Sequence, residues 1–173
     1  MQALSFWKTI VADQTNLLET LLSLLGQREI RYCVIGGQAV NAYVEPVVSL
    51  DLDLVIASNQ IEDLELVCRQ QFTVESFPHS INISQPGSDL RIQIQKDPRY
   101  LSFLQHATAR KILGWNLLVA SLEDVLQGKI WAVTDRERRA SKRQKDLADI
   151  ARILEAYPHL RGRIPAEVLE RLL

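Results

Sequence analysis

Two aspartates separated by one residue, Asp51 and Asp53, are the side chains of this 173-residue chain best placed to do chemistry. They lie in the apolar run Leu-Asp-Leu-Asp-Leu-Val-Ile, which predicts a β-strand. Side chains of a strand alternate between its faces, so both carboxylates project from one face while the leucines anchor the other. Carboxylates about 7 Å apart at Cβ can converge on Mg²⁺, a cation that prefers oxygen ligands and phosphates. Two ions about 3.5–4 Å apart would steady the attacking and leaving oxygens of an in-line displacement, so the spacing predicts a magnesium site.

A pair of glycines, Gly36 and Gly37, follows the short apolar run Tyr-Cys-Val-Ile and precedes a helix predicted over residues 38–43. Glycine tolerates positive φ and close backbone approach, which suits a strand-to-helix turn whose N–H groups face an anion. The partial positive charge of the helix N-terminus adds to this preference. The order strand, Gly-Gly turn, helix and Asp-x-Asp strand therefore predicts a phosphate site beside a metal site, which is the chemistry of nucleotidyl transfer.

These motifs resemble those of the polymerase-beta-like nucleotidyltransferase superfamily, and within it those of the small bacterial nucleotidyltransferases that include abortive-infection toxins. The matching segments are Ile35-Gly36-Gly37-Gln38-Ala39-Val40, Ser49-Leu50-Asp51-Leu52-Asp53, Lys129-Ile130-Trp131-Ala132 and Lys145-Asp146-Leu147-Ala148-Asp149. The resemblance implies metal-dependent transfer of a nucleoside monophosphate from an NTP, with Asp51 and Asp53 as the catalytic and metal-binding residues. The nucleotide-binding residues that it implies are Gly36, Gly37, Gln38, Ser49, Gln93, Lys129 and Lys145.

The same resemblance suggests what accepts the nucleotide. Relatives of this kind modify tRNA ends or attach AMP to a side chain of a partner protein. A tRNA and a protein are therefore both expected acceptors, and a toxin–antitoxin pair with a co-encoded partner protein is the expected setting. Two magnesium ions and an NTP are the expected cofactor and substrate.

The third carboxylate of the superfamily has no acidic counterpart on the neighbouring strand, predicted here over Leu90–Gln95. Gln93 or Gln95 stands where the acid is expected, and an amide cannot act as a general base. Three explanations stay open. The metal or the substrate activates the nucleophile, or Asp89 or Asp146 supplies the missing carboxylate, or catalysis has been lost and the protein is a nucleotide sensor or a partner-binding module.

A helix predicted over residues 136–157 begins with six cations in ten residues. Such a run is typical of a solvated helix face, and its functional interpretation is a strip that contacts the phosphates of an RNA acceptor or of the NTP. Lys145 is spaced to pair with Asp149 at i, i+4. Lys129 lies on the preceding helix, which the pattern Ser121-Leu-Glu-Asp124 begins as a cap.

The whole sequence predicts an α+β fold, a small mixed sheet with the nucleotidyltransferase-type core flanked by N-terminal and C-terminal helices. We predict one domain over residues 1–173, with the core at 30–120 and a helical part packed on it at 121–173. Periodic leucines predict an N-terminal helix over residues 4–25 that ends at Gly26. A net charge of −1 gives no bulk electrostatic footprint for nucleic acid.

Cellular location is suggested by what the sequence does not contain. Cys33 and Cys68 form no disulfide or metal-ligand pattern and are predicted to be buried apolar residues in a reducing cytosol. There is no signal-peptide pattern and no run of about 18 apolar residues, so we predict a cytoplasmic protein without a membrane span.

Overall fold

The computed structural model describes residues 16–172, and a mixed seven-stranded sheet forms the centre of this part of the chain. The strands are β1 (Tyr32–Ile35), β2 (Asp51–Ile56), β3 (Thr73–Ser76), β4 (Ser80–Ser84), β5 (Arg91–Gln95), β6 (Thr108–Ile112) and β7 (Trp115–Val119). Their spatial order is β3-β4-β5-β2-β1-β7-β6. β2 pairs antiparallel with β1 and parallel with β5, so the backbone of the two aspartates is held from both sides.

Helices precede, interrupt and follow the sheet, which confirms the predicted α+β class. The α-helices are α1 (Leu17–Gln27), α2 (Gly36–Asn41), α3 (Ile61–Arg69), α4 (Leu122–Thr134), α5 (Ala140–Ala156) and α6 (Ala166–Leu169). Short 3₁₀ helices span Ser58–Gln60, Pro98–Gln105 and Pro158–Arg163. Residues 4–15 of the predicted N-terminal helix lie outside the described residues, and α1 continues past Gly26 to Gln27.

The burial of β2 follows the predicted alternation. Leu52 and Leu54 are fully buried, whereas Asp51 and Asp53 are only partly buried. β5 repeats the pattern, with its isoleucines in the core and Gln93 on the other face. β2 and β5 therefore share one polar face, and the apolar face joins the core.

The two C-terminal helices begin at different kinds of signal. The predicted cap of α4 is confirmed, since Ser121 Oγ accepts a hydrogen bond of 3.2 Å from the backbone N–H of Asp124. The predicted start of the next helix at residue 136 is wrong, because α5 begins at Ala140. Asp135 Oδ1 accepts a hydrogen bond from the backbone N–H of Glu137, and this local turn competes with helix at residues 135–139.

Both cysteines are buried and free, as predicted. Within residues 16–172, no helix combines the length and the hydropathy needed to cross a membrane.

Candidate active site

The turn between β1 and α2 presses the backbone against one of the two aspartates. Gly36 has a φ of +70°, in the left-handed region that favours glycine. A Cβ at this position would overlap Oδ2 of Asp53. Ile35 explains the proximity, since it is the register partner of Asp53 between β1 and β2. Glycine is therefore required at position 36 by the backbone conformation and by the neighbouring carboxylate.

The connector between α2 and β2 is fastened by side chains of α2. Gln38 is buried, and its Nε2 donates a hydrogen bond of 2.9 Å to the carbonyl oxygen of Ser49. Asn41 donates to the carbonyl oxygen of Val47 at 2.7 Å and accepts from its N–H at 3.0 Å. These bonds set where β2 begins and therefore where its first aspartate lies.

A cavity of about 510 Å³ lies over the polar face of β2, within the usual size range of ligand pockets. The predicted residues that line it are Gly36, Gly37, Ser49, Asp51, Asp53, Gln93, Lys129 and Lys145. Gln38 is the predicted nucleotide-binding residue that is not part of the lining, since its buried side chain bonds the carbonyl oxygen of Ser49. The structure thus brings the glycine turn, the aspartates and the basic helix together around one space.

Asp53 lines the cavity, and its charge is not compensated by an ion pair with the described residues. The pKa of Asp53 is raised, mainly by burial. The charge of Lys129 acts against this increase, the charge of Asp51 adds to it, and the charges of Lys142 and Arg138 act against it. No ion-pair partner of Asp53 is found among residues 16–172. A partly desolvated carboxylate in this state would be stabilised by a bound cation.

Asp51 has one cationic partner, Arg91 Nε, at 2.8 Å from its Oδ1. The Arg91 side chain is 66% exposed, and such a surface pair contributes little and can be displaced. The donor set fits Mg²⁺, which is commonly held by one or two carboxylates and completes its shell with substrate phosphates and water. An all-protein site does not fit, because the described residues contain no group of three or more acids, histidines or cysteines placed to hold a metal.

The third carboxylate is absent from the place where the superfamily pattern puts it. Gln93 is the register partner of Asp53 across β2 and β5 and lines the cavity. Asp89, one of the two alternative acids, is exposed and lies outside the cavity lining. Asp146, the other alternative, does line the cavity, but its oxygens are engaged by cations.

Lys129 lies between the two aspartates of α5. Its Nζ is 2.9 Å from Asp146 Oδ1 and 2.7 Å from Asp149 Oδ2, and the residue is only 6% exposed. Burial alone would lower the pKa of Lys129, but the charges and hydrogen bonds of the two carboxylates raise it above its usual value. The ammonium is therefore charged and engaged, and its role as a phosphate ligand stays a prediction.

Two arginines complete this buried ion network. Arg138 Nε lies 2.7 Å from Asp146, and Arg152 Nη1 lies 2.8 Å from Asp149. Arg152 also donates to the carbonyl oxygen of Glu45 at 2.6 Å, which ties α5 to the connector after α2. The predicted pair of Lys145 with Asp149 is wrong, because Asp149 is taken by other cations.

The basic run divides into cations that face the cavity and cations that do not. Arg139, Lys142 and Lys145 are exposed, line the cavity and form no ion pair with the described residues. Arg136 is also exposed but is not part of the lining. The cavity therefore has a cationic rim that is free to meet phosphate.

The lining residues that were not identified from the sequence include Arg91, Tyr100, Phe103, Asp124 and Gly128. A signal existed for four of them. Tyr100 and Phe103 are three residues apart, the spacing that places side chains together in a 3₁₀ helix. Asp124 and Gly128 are four residues apart on α4, so they lie on one face of that helix.

Comparison with known proteins supports the fold alone. No family model matches the chain, and no curated protein matches its sequence. Among solved structures, the antibiotic-resistance factor ANT(2")-Ia in complex with adenylyl-2"-tobramycin has a TM-score of 0.64 at 14% identity, over 92% of this chain and 99% of that chain. An antigenic nucleotidyltransferase-like protein from Paracoccidioides brasiliensis has a TM-score of 0.54 at 22% identity, over 96% and 85% of the two chains.

The lincosamide antibiotic adenylyltransferase LnuA, bound to lincomycin, has a TM-score of 0.51 at 11% identity, over 81% of this chain and 98% of that chain. These likenesses confirm the predicted nucleotidyltransferase fold. The finer resemblance to abortive-infection toxins stays a prediction.

Proposed function

We propose that this protein transfers a nucleoside monophosphate from an NTP to a hydroxyl group of a macromolecule, in a reaction that depends on magnesium. The observation that carries the proposal is the contact of the Gly36 backbone with the Asp53 carboxylate. An anion bound at this turn would lie beside the two carboxylates of β2 and inside one cavity. The fold, which the chain shares with nucleotidyltransferases, supports nucleotidyl transfer in general.

The residues divide the work of such a reaction. Asp51 and Asp53 would hold magnesium, which when bound supplies positive charge to the phosphate oxygens. The free cations Arg139, Lys142 and Lys145 would bind phosphates of the NTP or of the acceptor. The oxygen of the acceptor hydroxyl attacks the α-phosphorus, its proton is released, and pyrophosphate leaves.

For the acceptor, we propose a tRNA end or a protein side chain, with the protein acting in the cytoplasm as one member of a toxin–antitoxin pair. The cationic rim favours an acceptor that carries phosphate, so tRNA is the first acceptor to test. The similar structures of ANT(2")-Ia and LnuA contain antibiotic groups, so tobramycin and lincomycin belong in the same acceptor panel.

The proposal also includes the domain organisation. We propose one domain over residues 1–173, in which residues 30–120 provide the carboxylates and the turn. Residues 121–173 provide the helical wall. The packing of the two parts as one domain is supported by the cavity, which is lined by residues from both.

A labelling experiment tests the proposed transfer. The purified protein is incubated with radiolabelled NTPs, Mg²⁺ and each acceptor, including any co-encoded protein. We expect labelling that is lost in the double variant Asp51→Asn, Asp53→Asn and kept in the control Asp89→Asn, which removes an exposed acid outside the cavity lining. Labelling that survives the double substitution would contradict the assignment of the site.

A second candidate function is nucleotide binding without turnover, and Gln93 is the observation that favours it. Its amide lies opposite Asp53, and among the described residues no third acid, histidine or cysteine joins the two aspartates in a group placed to hold a metal. Calorimetry with Mg·NTP, run beside an assay for pyrophosphate release, separates the two functions. Binding with no pyrophosphate in the presence of every acceptor would favour the binding module.

A further inference from the structure

The cavity has two chemically different ends. Along β5 the lining runs from Arg91, opposite Asp51, through Gln93 to Gln95. Gln95 Oε1 then accepts a hydrogen bond from the N–H of Asp97, immediately before the 3₁₀ helix of residues 98–105. One end is therefore charged. The other, which we call the inner end, is lined by Tyr100 and Phe103 of this 3₁₀ helix and by Asp124, Val125 and Gly128 of α4.

Aromatic side chains form one wall of the inner end. Tyr100 and Phe103 both line the cavity and pack edge to face, with ring centroids 5.2 Å apart. Gly128 of α4 lies against them, since a Cβ there would come within 3.2 Å of Tyr100 Cε1. Val125 adds an apolar side chain from the same helix. This wall suits a planar apolar group, whereas the charged end suits phosphates.

Two polar groups at the inner end have hydrogen-bonding capacity that the described residues do not use. Asp124 Oδ2 lies 2.8 Å from His106 Nδ1, but Asp124 Oδ1 has no hydrogen-bond partner within residues 16–172. The Tyr100 hydroxyl also lacks a partner there, although Tyr100 is only 8% exposed. Burial raises the pKa of Tyr100 to about 12, so this hydroxyl is protonated at neutral pH and can donate.

We propose that the inner end binds the nucleobase of the NTP and that Asp124 selects a base with an exocyclic amino group. This inference rests on the proposed function, since it names the substrate class of the same site. An ionised carboxylate only accepts hydrogen bonds, so it pairs with an amino group and repels a carbonyl oxygen in the same place. The Tyr100 hydroxyl, which donates, binds the nucleotide whatever its base.

Matched pairs of nucleotides test the selection directly. CTP and UTP differ at the base by an amino group against a carbonyl, together with the hydrogen on the adjacent ring nitrogen, and so do ATP and ITP. Binding of each is measured by calorimetry with Mg²⁺ and without an acceptor, so that no transfer occurs. We expect the amino member to bind about tenfold more tightly in each pair that binds, the size of one hydrogen bond to a charged group.

Variants assign the preference to one side chain. Asp124→Ala is expected to abolish the preference, and the control Glu123→Ala to keep it, because Glu123 is an exposed acid of the same helical turn outside the lining. Tyr100→Phe is expected to weaken the binding of all the nucleotides by the same factor. Melting curves establish that each variant is folded.

The outcomes separate this inference from the proposed function. Equal binding within each pair, or a preference that persists in Asp124→Ala, overturns the selection by Asp124 and leaves nucleotidyl transfer standing. A folded wild-type protein that binds no nucleotide overturns both.

Discussion

The protein contains two pairs of closely spaced aspartates that differ in how far neighbouring cations neutralise their charge. Asp146 and Asp149 of α5 are buried, and each lies within 3 Å of Lys129 and of one arginine. Asp51 and Asp53 of β2 face the cavity, where an exposed arginine pairs with Asp51 alone and burial raises the pKa of Asp53. The first pair is neutralised by the fold. The second is left to be neutralised by something that binds.

This difference shows how a carboxylate pair reveals its role. Buried charges are tolerated only when they are paired, so a fully paired acid signals structure. A charged acid that is desolvated and unpaired lowers the stability of the folded protein, and the binding of a cation restores that stability. The predictions below test whether the two pairs really differ in this way.

The largest effect is expected at Lys129. Lys129→Met removes the shared cation of the buried pair and leaves Asp146 and Asp149 short of compensation, which typically costs about 3–5 kcal/mol of unfolding free energy. Urea unfolding measures the loss. The control Lys145→Met changes an exposed lysine of the same site, and we expect a change within about 0.5 kcal/mol.

The opposite result would be equally informative. If Lys129→Met is as stable as the wild type but transfers no nucleotide, Lys129 is a phosphate ligand first, as the family resemblance suggests. The two pairs of aspartates would then both belong to the chemistry of the site.

The next effect is expected at Gly36. Gly36→Ala places a Cβ against Asp53 and forces alanine into the left-handed region, which alone costs about 1–2 kcal/mol. We expect the displaced carboxylate to abolish Mg·NTP binding, measured by calorimetry. Gly26→Ala in α1 is the control, because nothing lies within 4 Å of its Cβ, and a helical alanine there should add about 0.5–1 kcal/mol. If Gly36→Ala binds Mg·NTP as tightly as the wild type, the contact of this turn with Asp53 is not needed for nucleotide binding.

Much of the secondary structure that carries the two aspartate pairs could be predicted from the sequence. The alternation of leucine and aspartate predicted the faces of β2, and Ser121 predicted the start of α4, because both signals are local. The partners of Lys129 could not be predicted, since they depend on how α4 packs on α5. The start of α5 was predicted too early because the Asp135 side chain accepts a hydrogen bond from the backbone and competes with helix there.

The candidate site was predicted in its local parts and not in its assembled shape. The two motifs gave Gly36 and Asp53, but their contact depends on the register that sets Ile35 opposite Asp53. The aromatic wall was missed because Tyr100 and Phe103 also have the composition of a core. Which aromatic edges border a cavity is decided by tertiary packing.

A pH-dependent effect is expected at Asp53 in metal-free protein. Because burial raises its pKa in the folded state, the folded protein holds this proton more tightly than the unfolded chain does. The folded protein therefore loses stability as the pH rises from the pKa of Asp53 in the unfolded chain to its pKa in the folded protein. Above the folded-state pKa this loss is complete. Asp53→Asn removes the titration, so near neutral pH we expect it to unfold at higher urea concentration than the wild type.

The advantage of Asp53→Asn should vanish below the ordinary aspartate pKa of 3.8, where both forms are neutral. Urea unfolding in EDTA at a series of pH values measures it, with Asp89→Asn as the exposed control. An advantage that is the same at every pH would mean that desolvation of the charge is not its cause.

The smallest effect is expected at Gln93, and it addresses the missing third carboxylate. Gln93→Glu places a carboxylate opposite Asp53 across the parallel strands β2 and β5, and the repulsion of the two like charges should slightly lower the stability of the metal-free protein. Because the new acid adds a ligand, Mg²⁺ should raise the melting temperature of this variant more than that of the wild type. Gln95→Glu is the control, since it lines the same cavity but lies opposite Val55.

Equal Mg²⁺ shifts in Gln93→Glu and Gln95→Glu would mean that the ion does not lie at Asp53, and the contrast between the two aspartate pairs would fail. A larger shift together with transfer that the wild type lacks would show that Gln93 had ended catalysis. A larger shift with transfer unchanged from an active wild type would show that the reaction proceeds without a third acid, because the ion and the acceptor already supply what that acid would add.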